Sequence, residues 1–461
     1  MNSKLPLVTI YITNYNYGRY IKQSIESVLN QSFDDFELII IDDGSTDNSL
    51  EIIGSYEDNP KIKIIYQQNK GLTISNNIAL KLSRGQYIIR LDADDYFHQK
   101  ALKNLLSGFE SKEIGMVFGD WYEIDEFGDI IEHKERHNFK KDVTLYDQPA
   151  HGACTMFKKS CLQEINGYDE SITRQDGYEL WLRFIKNFEV NNINIPIFYY
   201  RQHYKSLTKD EKKLLDTRAE ILESHANKYS NKRNKKFFAI VPIRGSELDS
   251  RSQPFIKLNG KNLIDYTLEE LIKSQNLSKI IITTPSEEVI SYIKINYDNT
   301  KIEVIKRSKD SSRINVPLNQ TVFECINSIE NIELYDSFLF TSIETPFKRH
   351  ELIDSAINTK IIFDVDSVIG LRTFDKTIFN HNGKGMVPIN KQSSLLKLER
   401  KKNYVAVPGF FLRDLNDFRK TNDLSGKKIG HVIFDQAAAL FLDSKLDLLF
   451  AEAILNEKTI I

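Results

Sequence analysis

The stretch GQYIIRLDADD, residues 85–95, joins a mostly apolar run to three acids that lie within four residues. The run from Tyr87 to Leu91 has the length and the β-branched content of a buried strand. Carboxylates crowded at the end of such a strand repel one another. A divalent cation relieves that repulsion because it binds carboxylate and phosphate oxygens. Asp and Asn also end strands and begin turns, so the three acids by themselves indicate either a metal site or a turn.

Two more strand-like runs, residues 36–41 and 7–12, also end in polar turns, which begin at Asp42 and Thr13. Helical patterns separate the three runs along the chain. This alternation of strands and helices predicts a parallel sheet of the α/β class, in which ligands bind at the carboxyl ends of the strands. The three polar endings should therefore meet at one edge of one sheet, as a nucleotide site with a metal beside it requires.

The motifs of the N-terminal half resemble those of family-2 glycosyltransferases with the GT-A fold. The resemblance covers about residues 6–208, and the motifs occur in the family's order and spacing. They read PLVTIYITNYN, SIESVLNQSFDDFELIIIDDGSTDNSLEII, NKGLTISNNIAL, GQYIIRLDADD, RQDGYELWLR and YYRQHYKSLT. The resemblance implies an enzyme that transfers a sugar from a nucleoside-diphosphate donor to a glycan or lipid-linked acceptor, with a UDP-sugar favoured as the donor.

The resemblance assigns the donor nucleotide to residues at the strand ends. Thr13, Asp42 and Asp43 would face the base and the ribose of the donor, and Asp92 would complete this set. A carboxylate suits the task because it accepts hydrogen bonds from a uracil N–H or a ribose hydroxyl. The alternative for Asp42 and Asp43 is a turn followed by a helix cap.

The same resemblance assigns the metal to the third strand end. Asp92 and Asp94 would bracket Mn²⁺ or Mg²⁺ on the donor diphosphate, with Asp95 in support. The cation would offset the charge that grows on the leaving nucleoside diphosphate. His203 follows the strand-like run 197–201 and would touch the donor phosphate or the metal, or else be an exposed or structural histidine.

Direct displacement at the sugar carbon also needs a base that takes the proton of the acceptor hydroxyl. The segment RQDGYELWLR, residues 174–183, stands where the family carries its acidic catalytic motif. Asp176 is the first choice because it precedes Gly177 and a helical pattern, and so can project from a helix start into a cleft. Glu179 is the second choice, although it can also cap the helix by reaching back.

Residues 115–155 should select the acceptor, and they are the least informative part of the N-terminal half. Trp121, Tyr122 and His151 are candidates for a sugar platform, since aromatic faces pack against the C–H edges of a pyranose ring. They could equally belong to the core, and we expect this for Trp121.

Length and composition indicate more than one domain and a cytoplasmic protein. A chain of 461 residues exceeds what one core usually organises, and its net charge of −2 gives no sign of a nucleic-acid partner. The three cysteines lack metal-ligand spacing and favour a reducing compartment. The N-terminus shows no signal-peptide pattern, and no run reaches the length of a membrane span. Peripheral attachment to the inner face of the membrane stays open because many sugar acceptors are lipid-linked.

A change in composition after residue 208 predicts the domain boundary. A charged helical pattern is followed there by a polar and basic stretch, and a new apolar strand begins at Phe237. We expect a glycosyltransferase domain over residues 1–230, a linker over 231–236 and a second domain over 237–461.

The second half resembles cytidylyltransferases that make CMP-activated nonulosonic acids, such as CMP-sialic acid synthetases. The matching segments read FFAIVPIRGS, FIKLNGKNLIDYTLEELIKSQNLSKIIITTPSEEV, YDSFLFTSIETPF and DSVIGLR. This resemblance implies a nucleotidyltransferase-like fold that forms dimers. Both halves of the chain are thus predicted to be Rossmann-like α/β/α domains.

The chemical positions of the second half depart from the cytidylyltransferase pattern. Arg244 stands at the family's triphosphate-binding Arg, whereas Leu248 and Gln253 stand where two Lys are expected. Phe441 replaces one of two acids that hold magnesium, and Asp443 keeps the other. Removing one contact of this kind can cost roughly two to three orders of magnitude in rate, so the domain is expected to be inactive.

Three functions follow from these patterns. The first is an inverting glycosyltransferase whose inactive second domain serves dimerisation or sugar-nucleotide binding. The alternative is a bifunctional enzyme that also makes CMP-nonulosonic acid from CTP, which requires that residues such as Lys257 or Arg251 restore the missing cations. A weaker alternative is a non-catalytic scaffold in a polysaccharide assembly complex, for which Asp92, Asp94 and Asp176 need not converge.

Overall fold

The computed structural model describes residues 5–203, 211–229, 235–245, 252–298, 300–374, 376, 378–389 and 403–456. The chain forms two compact units, and among the described residues the first comprises 5–203 and the second those from 211 onward. The helix Glu211–Tyr229 groups with the second unit, whereas the sequence prediction placed it in the N-terminal domain. It lies against the helix His350–Phe363 of that unit and buries Ile221 and Leu222. Most of the predicted linker, residues 231–236, lies outside the described residues.

Strands and helices alternate through the first half of the first unit, as the sequence predicts. The strands of this unit are β1 Val8–Asn14, β2 Phe36–Asp42, β3 Ile62–Tyr66, β4 Tyr87–Asp92, β5 Tyr96–Phe97, β6 Ile114–Ile124, β7 Ile130–Lys134, β8 Met156–Lys158 and β9 Glu189–Arg201. The helices are α1 Ile21–Leu29, α2 Ser49–Gly54, α3 Leu72–Leu82, α4 Ala101–Ser107, α5 Lys159–Glu164 and α6 Asp176–Asn187.

These strands form one sheet in the order β3-β2-β1-β4-β8-β6-β9-β5, with β7 paired to β6. The first four strands are parallel, and β8 joins β4 in the antiparallel sense. Thr13 in β1 is level with Ile41 on one side and with Asp92 on the other. Asn14 is level with Asp42. The polar endings of β1, β2 and β4 therefore meet at one edge of the sheet, as predicted, and we call it the site edge.

Burial on both faces explains why the central strands are continuous apolar runs. All seven residues of β2 are buried, as expected for a parallel strand covered by helices. Helix α1 covers this sheet with Ile21, Ile25 and Val28, which recur at helical spacing and belong to the same buried cluster as the strands. Burying each side chain of this kind contributes about 1.5–3 kcal/mol to the free energy of unfolding. This burial holds the sheet in place beneath the site edge.

The second unit has a similar alternation and begins with the helix α7 Glu211–Tyr229. Its strands are β10 Phe237–Pro242, β11 Lys257–Leu258, β12 Lys261–Asn262, β13 Leu277–Thr284, β14 Ile302–Lys306, β15 Ser337–Thr341, β16 Ser367–Phe374, β17 Phe379–His381, β18 Met386–Pro388, β19 Asn403–Asp414 and β20 Ile429–Ile433. The helices that follow α7 are α8 Leu263–Lys273, α9 Glu287–Asn296, α10 Leu318–Asn327, α11 His350–Phe363, α12 Leu415–Thr421 and α13 Lys445–Asn456. Two short 3-10 turns lie at Asp310–Ser312 and Ile332–Leu334. No helix within the described ranges is both long and apolar enough to cross a membrane.

The main sheet of the second unit runs in the order β14-β13-β10-β15-β19-β16-β20. Its first four strands are parallel and the fifth, β19, is antiparallel, so the plan of the first unit's sheet recurs. Phe238, Ile240, Phe338 and Phe340 build the core under this sheet. The predicted α/β class is thereby confirmed, with two Rossmann-like units on one chain.

Candidate functional site

Asp42 forms part of a polar turn at the site edge. Its Oδ2 accepts hydrogen bonds from Asn14 Nδ2 at 2.8 Å and from Ser45 Oγ at 2.7 Å. Its Oδ1 accepts one from the Ser45 backbone N–H at 2.9 Å. The side chain is 1% exposed, so this carboxylate is held by the protein in the way that a structural turn residue is.

Asp43 joins the end of β2 to the start of α3. Its carboxylate accepts the backbone N–H groups of Lys70 and Gly71, each at 2.8 Å, and Gln67 Nε2 at 2.7 Å. The neighbouring Gly44 has a φ of 82°, and a Cβ there would lie 2.8 Å from the backbone nitrogen of Asn69. Asp42 and Asp43 thus hold turns at the site edge, while the N-cap residue of the next helix, α2, is Asn48. Their contact with a donor stays a prediction.

Asp92 ends β4 beside a buried arginine. Arg90 is 5% exposed, and its Nε lies 3.0 Å from Asp92 Oδ1. Removal from bulk water raises the pKa of Asp92 to about 6. Arg90 opposes this shift, while the charges of Asp94 and Asp176 add to it. Additional positive charge beside Asp92 would therefore stabilise the ionised form of its carboxyl group.

Asp94 lies two residues beyond β4 and is paired with His203. Its Oδ2 is 2.9 Å from His203 Nε2, and the histidine is 6% exposed. The rings of Tyr17 and Tyr20 pack on that histidine with centroid distances of 5.8 Å each. The structure thus brings the predicted His203 to the predicted metal ligand Asp94.

Asp95 supports the site from inside the fold. It is 1% exposed, and its Oδ1 accepts the backbone N–H of Arg201 at 2.9 Å. Burial holds its pKa well above the usual range, and the charges of Asp94 and Asp92 raise it further. Arg201 also donates from Nε to the backbone oxygen of Asp94 at 3.0 Å. The end of β9 is thereby tied to the acid cluster.

Asp176 is the first residue of α6, and its carboxylate shares the Arg90 guanidinium with Asp92. Its Oδ2 accepts hydrogen bonds from Arg90 Nη1 at 2.5 Å and from Asn76 Nδ2 at 3.2 Å. The preceding Gln175 adopts a left-handed conformation with a φ of 58°, so the helix starts abruptly. One guanidinium thus lies between Asp176 and Asp92, the predicted base and a predicted metal ligand.

Glu179, the second choice for the base, has a different environment. Its carboxylate forms two parallel hydrogen bonds with Arg183, at 2.7 and 2.6 Å, and the residue is 6% exposed. Arg183 also donates to the backbone oxygen of Ile165 at 2.8 Å. The bidentate pair thus lies within α6, and it is Arg183 that ties this helix to the neighbouring backbone at Ile165.

The residues at the site edge fit a divalent cation by their chemistry. Asp92 and Asp94 present carboxylate oxygens, their side chains are 27% and 14% exposed, and repulsion between them raises the pKa of Asp92. Their other close contacts are Arg90 and His203. Among the described residues, three ligand atoms come within 4.8 Å of one another only at Glu270, His350 and Glu351 of the second unit. The predicted ligands therefore do not form a closed three-residue cage.

The acceptor region is mostly aromatic core. Trp121 is 3% exposed and packs in the main cluster, as predicted. His151 lies against Trp121, Phe198 and Tyr200 with centroid distances of 5.1, 5.0 and 4.7 Å. Burial lowers the pKa of His151 to about 3, with the nearby Arg90 charge adding to the effect, so its ring is neutral at pH 7. Tyr122 and His151 are partly exposed, whereas Trp121 is buried.

Arg90 and Asn76 are the site residues that the sequence reasoning missed. Arg90 is a charged residue inside a buried strand, and that exception to the apolar pattern was the available signal. Asn76 lies on α3 and is completely buried. Nothing in its helical surroundings distinguishes it from other polar helix residues.

The second unit has a cavity of about 240 Å³. It is lined by Pro242, Arg244, Ser252, Arg307, Leu318, Thr321, Phe340, Ser342, Glu344, Phe441, Leu442 and Asp443. The predicted residues Arg244, Phe441 and Asp443 thus meet there, whereas Leu248 lies outside the described residues. The completely buried Lys348 holds the loop at Ser342 by donating to that residue's backbone oxygen at 2.6 Å.

Arg307 was also missed and is the most unusual group of this cavity. It is 8% exposed, and its Nε and Nη2 have no hydrogen-bond partner among the described residues. Burial lowers the pKa of Arg307 to about 10, and the charge of Arg244 lowers it further. Burying a guanidinium with two unpaired nitrogens is costly, so an anion in this cavity would stabilise Arg307.

Comparison with known proteins identifies the chemistry of the first unit. The sequence pattern described as Glycosyl transferase family 2 matches residues 9–166. The uncharacterized glycosyltransferase MJ1057 from Methanocaldococcus jannaschii is 33% identical over 222 residues, which cover 45% of this chain and 76% of that protein. The chain belongs to glycosyltransferase family 2.

Other relatives of this family-2 glycosyltransferase act in polysaccharide synthesis. The chondroitin synthase of Escherichia coli is 33% identical over 193 residues, covering 41% of this chain. This chain spans only 28% of the length of that synthase. The UDP-Glc:alpha-D-GlcNAc-diphosphoundecaprenol beta-1,3-glucosyltransferase WfaP of Escherichia coli is 28% identical over 227 residues, covering 48% of this chain and 87% of that protein.

The family pattern covers only part of the site of this family-2 glycosyltransferase. Its matched range, residues 9–166, includes the ends of β1, β2 and β4 with the acid cluster. It ends before α6 and β9, which carry Asp176 and lead to His203. The family match therefore covers the strand ends that carry Thr13, Asp42 and Asp92, and it does not reach Asp176.

Proposed function

We propose that the first unit is a metal-dependent inverting glycosyltransferase. It moves a sugar from a nucleoside-diphosphate donor to a glycan or lipid-linked acceptor during the synthesis of a surface polysaccharide or glycoconjugate. The observation that carries the proposal is the contact of one guanidinium, that of Arg90, with both Asp92 and Asp176 at 3.0 and 2.5 Å. A UDP-sugar is the favoured donor, because the WfaP relative is named for one.

Each residue at the site edge has a proposed task. Thr13, Asp42 and Asp43 bind the nucleoside part of the donor, and Asp92 with Asp94 faces its diphosphate. His203 fixes the carboxylate of Asp94 by its 2.9 Å contact. Mn²⁺ or Mg²⁺ held by these two acids would neutralise charge on the departing nucleoside diphosphate.

Asp176 is proposed to activate the acceptor. Its carboxylate takes the proton of the acceptor hydroxyl while the hydroxyl oxygen attacks the anomeric carbon. The bond from that carbon to the diphosphate oxygen breaks on the opposite face, so the configuration inverts. The convergence of Asp176 with the acid cluster favours this mechanism over a non-catalytic scaffold.

A thermal-shift screen tests the proposed donor. The full chain is heated with UDP-sugars, GDP-mannose, CTP and CDP, each with and without Mn²⁺. We expect a UDP-sugar to raise the melting temperature only when Mn²⁺ is present, since a ligand that binds the folded state alone stabilises it. Hydrolysis or transfer of that UDP-sugar in the presence of Mn²⁺ would then be measured directly. A stabilising effect that is equal in EDTA would remove metal dependence from the proposal.

The second unit is proposed to bind a nucleotide anion without catalysis. Arg307 supplies a buried guanidinium whose free nitrogens need an anion, and it lines the cavity with Arg244. Phe441 lines the same cavity where an acid for magnesium is expected, and an apolar ring cannot coordinate a cation. These features favour binding without turnover over the bifunctional alternative.

Substitution of Arg307 tests this second proposal. We expect Arg307→Gln to weaken CMP binding by about tenfold or more, because losing a charge-assisted hydrogen bond costs roughly 1.5–3 kcal/mol. Calorimetry of the full chain in EDTA measures the affinity. Arg313→Gln is the matched control, since Arg313 is an exposed arginine of the same segment, paired with Asp310 at 2.8 Å. Rapid pyrophosphate release from CTP and a nonulosonic acid would instead establish the bifunctional alternative.

Two further properties are proposed for the whole chain. The second unit mediates homodimerisation, since the cytidylyltransferases that it resembles form dimers. The protein acts in the cytoplasm and approaches the inner face of the membrane when its acceptor is lipid-linked, as in the relative whose name includes a diphosphoundecaprenol acceptor.

A further inference from the structure

Arg90 is a charged side chain in the middle of the apolar strand β4. It is 5% exposed, so its guanidinium has left water and must be matched by buried partners. The partners are Asp176, at 2.5 Å from Nη1, and Asp92, at 3.0 Å from Nε. Strand β4 is thereby connected to Asp176, the first residue of α6, which lies 86 residues after Arg90 in the chain.

We propose that Arg90 is a positioning residue that aims the carboxylate of Asp176 at the acceptor hydroxyl. The inference rests on the proposed function of Asp176 as the base. Arg90 Nη1 and Asn76 Nδ2 both donate to Oδ2 of Asp176. The side-chain hydrogen bonds of Asp176 within the described residues thus end on Oδ2, which leaves Oδ1 to the acceptor in this proposal. Because both donors bind Oδ2, Oδ1 is the oxygen that would accept the proton of the acceptor hydroxyl.

Close packing around the guanidinium supports a fixed geometry. A Cβ built on Gly152 would lie 3.2 Å from Arg90 Nη2, and one built on Gly177 would lie 2.4 Å from the Cα of Gly152. The loop at Gly152 and the first turn of α6 therefore approach each other as only two glycines allow. The planar fork of Arg90 fits beneath this contact and reaches both acids at once. A lysine ammonium, which is a single point charge, cannot reproduce that geometry.

The same arginine places a positive charge between the two acids. Asp92 and Asp176 both carry negative charge when ionised. Without a cation they would repel each other, and a shared cation would draw them together. The guanidinium lies between them before a substrate arrives, hydrogen-bonded to Asp176 and at 3.0 Å from Asp92. Such preorganisation matters for rate, since a misplacement of 1 Å can cost about 100-fold.

Arg90→Lys tests the proposal because it keeps the charge and removes the fork. We expect kcat to fall by about 10- to 100-fold, with the KM for the donor nearly unchanged. Affinity for Mn²⁺, measured by calorimetry, should also be nearly unchanged. Arg84→Lys is the matched control, because Arg84 is half exposed and pairs with Glu37 at 2.6 Å away from the base. It should leave kcat unaltered.

A double-mutant cycle separates positioning from general structural support. If Arg90 acts through Asp176, Arg90→Lys should cause no further loss of kcat in an Asp176→Asn background. Losses that multiply in the double variant would overturn the proposal. Should Arg90→Lys not fold, Asn76→Ala provides the same cycle from the second donor to Oδ2. Normal activity in Asp176→Asn alone would refute the proposed base, which is a failure distinct from that of Arg90.

Discussion

Asp176→Asn is expected to lower kcat by about 100- to 10,000-fold, the range that a general base contributes. The amide keeps the size of the carboxylate but cannot accept the proton of the acceptor hydroxyl. Nucleotide affinity should stay nearly unchanged, because the donor's nucleoside and diphosphate contact other residues in the proposed mechanism. Steady-state transfer rates and calorimetric titration with UDP measure the two effects separately.

Glu179→Gln is the control for this substitution. Glu179 lies one turn further along α6 and is held by Arg183 in a bidentate pair. Its replacement should lower the melting temperature, since it breaks a buried ion pair, and should lower kcat much less than Asp176→Asn does. A larger loss of kcat in Glu179→Gln than in Asp176→Asn would reassign the base. A loss of UDP affinity in Asp176→Asn that matches the loss of kcat would make Asp176 a donor-binding residue.

Asp94→Asn should abolish both transfer and donor hydrolysis, with a loss of about 100-fold or more. Asp94 and Asp92 are the proposed holders of the cation, and an amide oxygen is a weaker ligand than a carboxylate. The wild-type protein in EDTA should lose activity to the same extent and regain it when excess Mn²⁺ is added. Rates with and without chelator, together with Mn²⁺ affinity by calorimetry, provide the measurement.

Asp58→Asn is the matched control, because Asp58 is an exposed acid in a turn of the same unit. It should leave transfer and Mn²⁺ affinity as in the wild type. Circular dichroism on both variants checks that the fold is kept. Full activity in EDTA, or in Asp94→Asn, would exclude the metal role proposed for the acid cluster.

The location of the site followed from the sequence because it depends on local patterns. Runs such as that from Tyr87 to Leu91 have the length and the β-branched content of a strand, and parallel strands bring their carboxyl ends to one edge wherever the helices between them lie. The approach of Thr13 to Asp92, level in neighbouring strands, needed only the strand order of an α/β sheet. Local pattern and general topology together were sufficient for this part of the site.

The contacts that decide residue roles could not be predicted in this way. The pairing of Arg90 with Asp176 joins residues far apart in sequence, and the left-handed Gln175 that starts α6 leaves no pattern of its own. The roles of Asp176 and Glu179 are distinguished by their partners, which depend on tertiary packing. Arg307 was hidden for the same reason, because an arginine in a polar loop shows its burial and its free nitrogens only in three dimensions.

The position of β9 has a consequence for the order in which the first unit is completed on the ribosome. His203 reaches Asp94 across 109 residues of sequence, and Arg201 ends the strand that pairs with β5 next to the acids. Synthesis at about 5–20 residues per second delivers β1 to β4 several seconds before this strand emerges. The nascent chain therefore carries the strands of the site edge, β1, β2 and β4, before it carries Asp176 and His203. Catalytic competence should arise only after β9 has paired with β6 and β5, because that pairing brings His203 to Asp94.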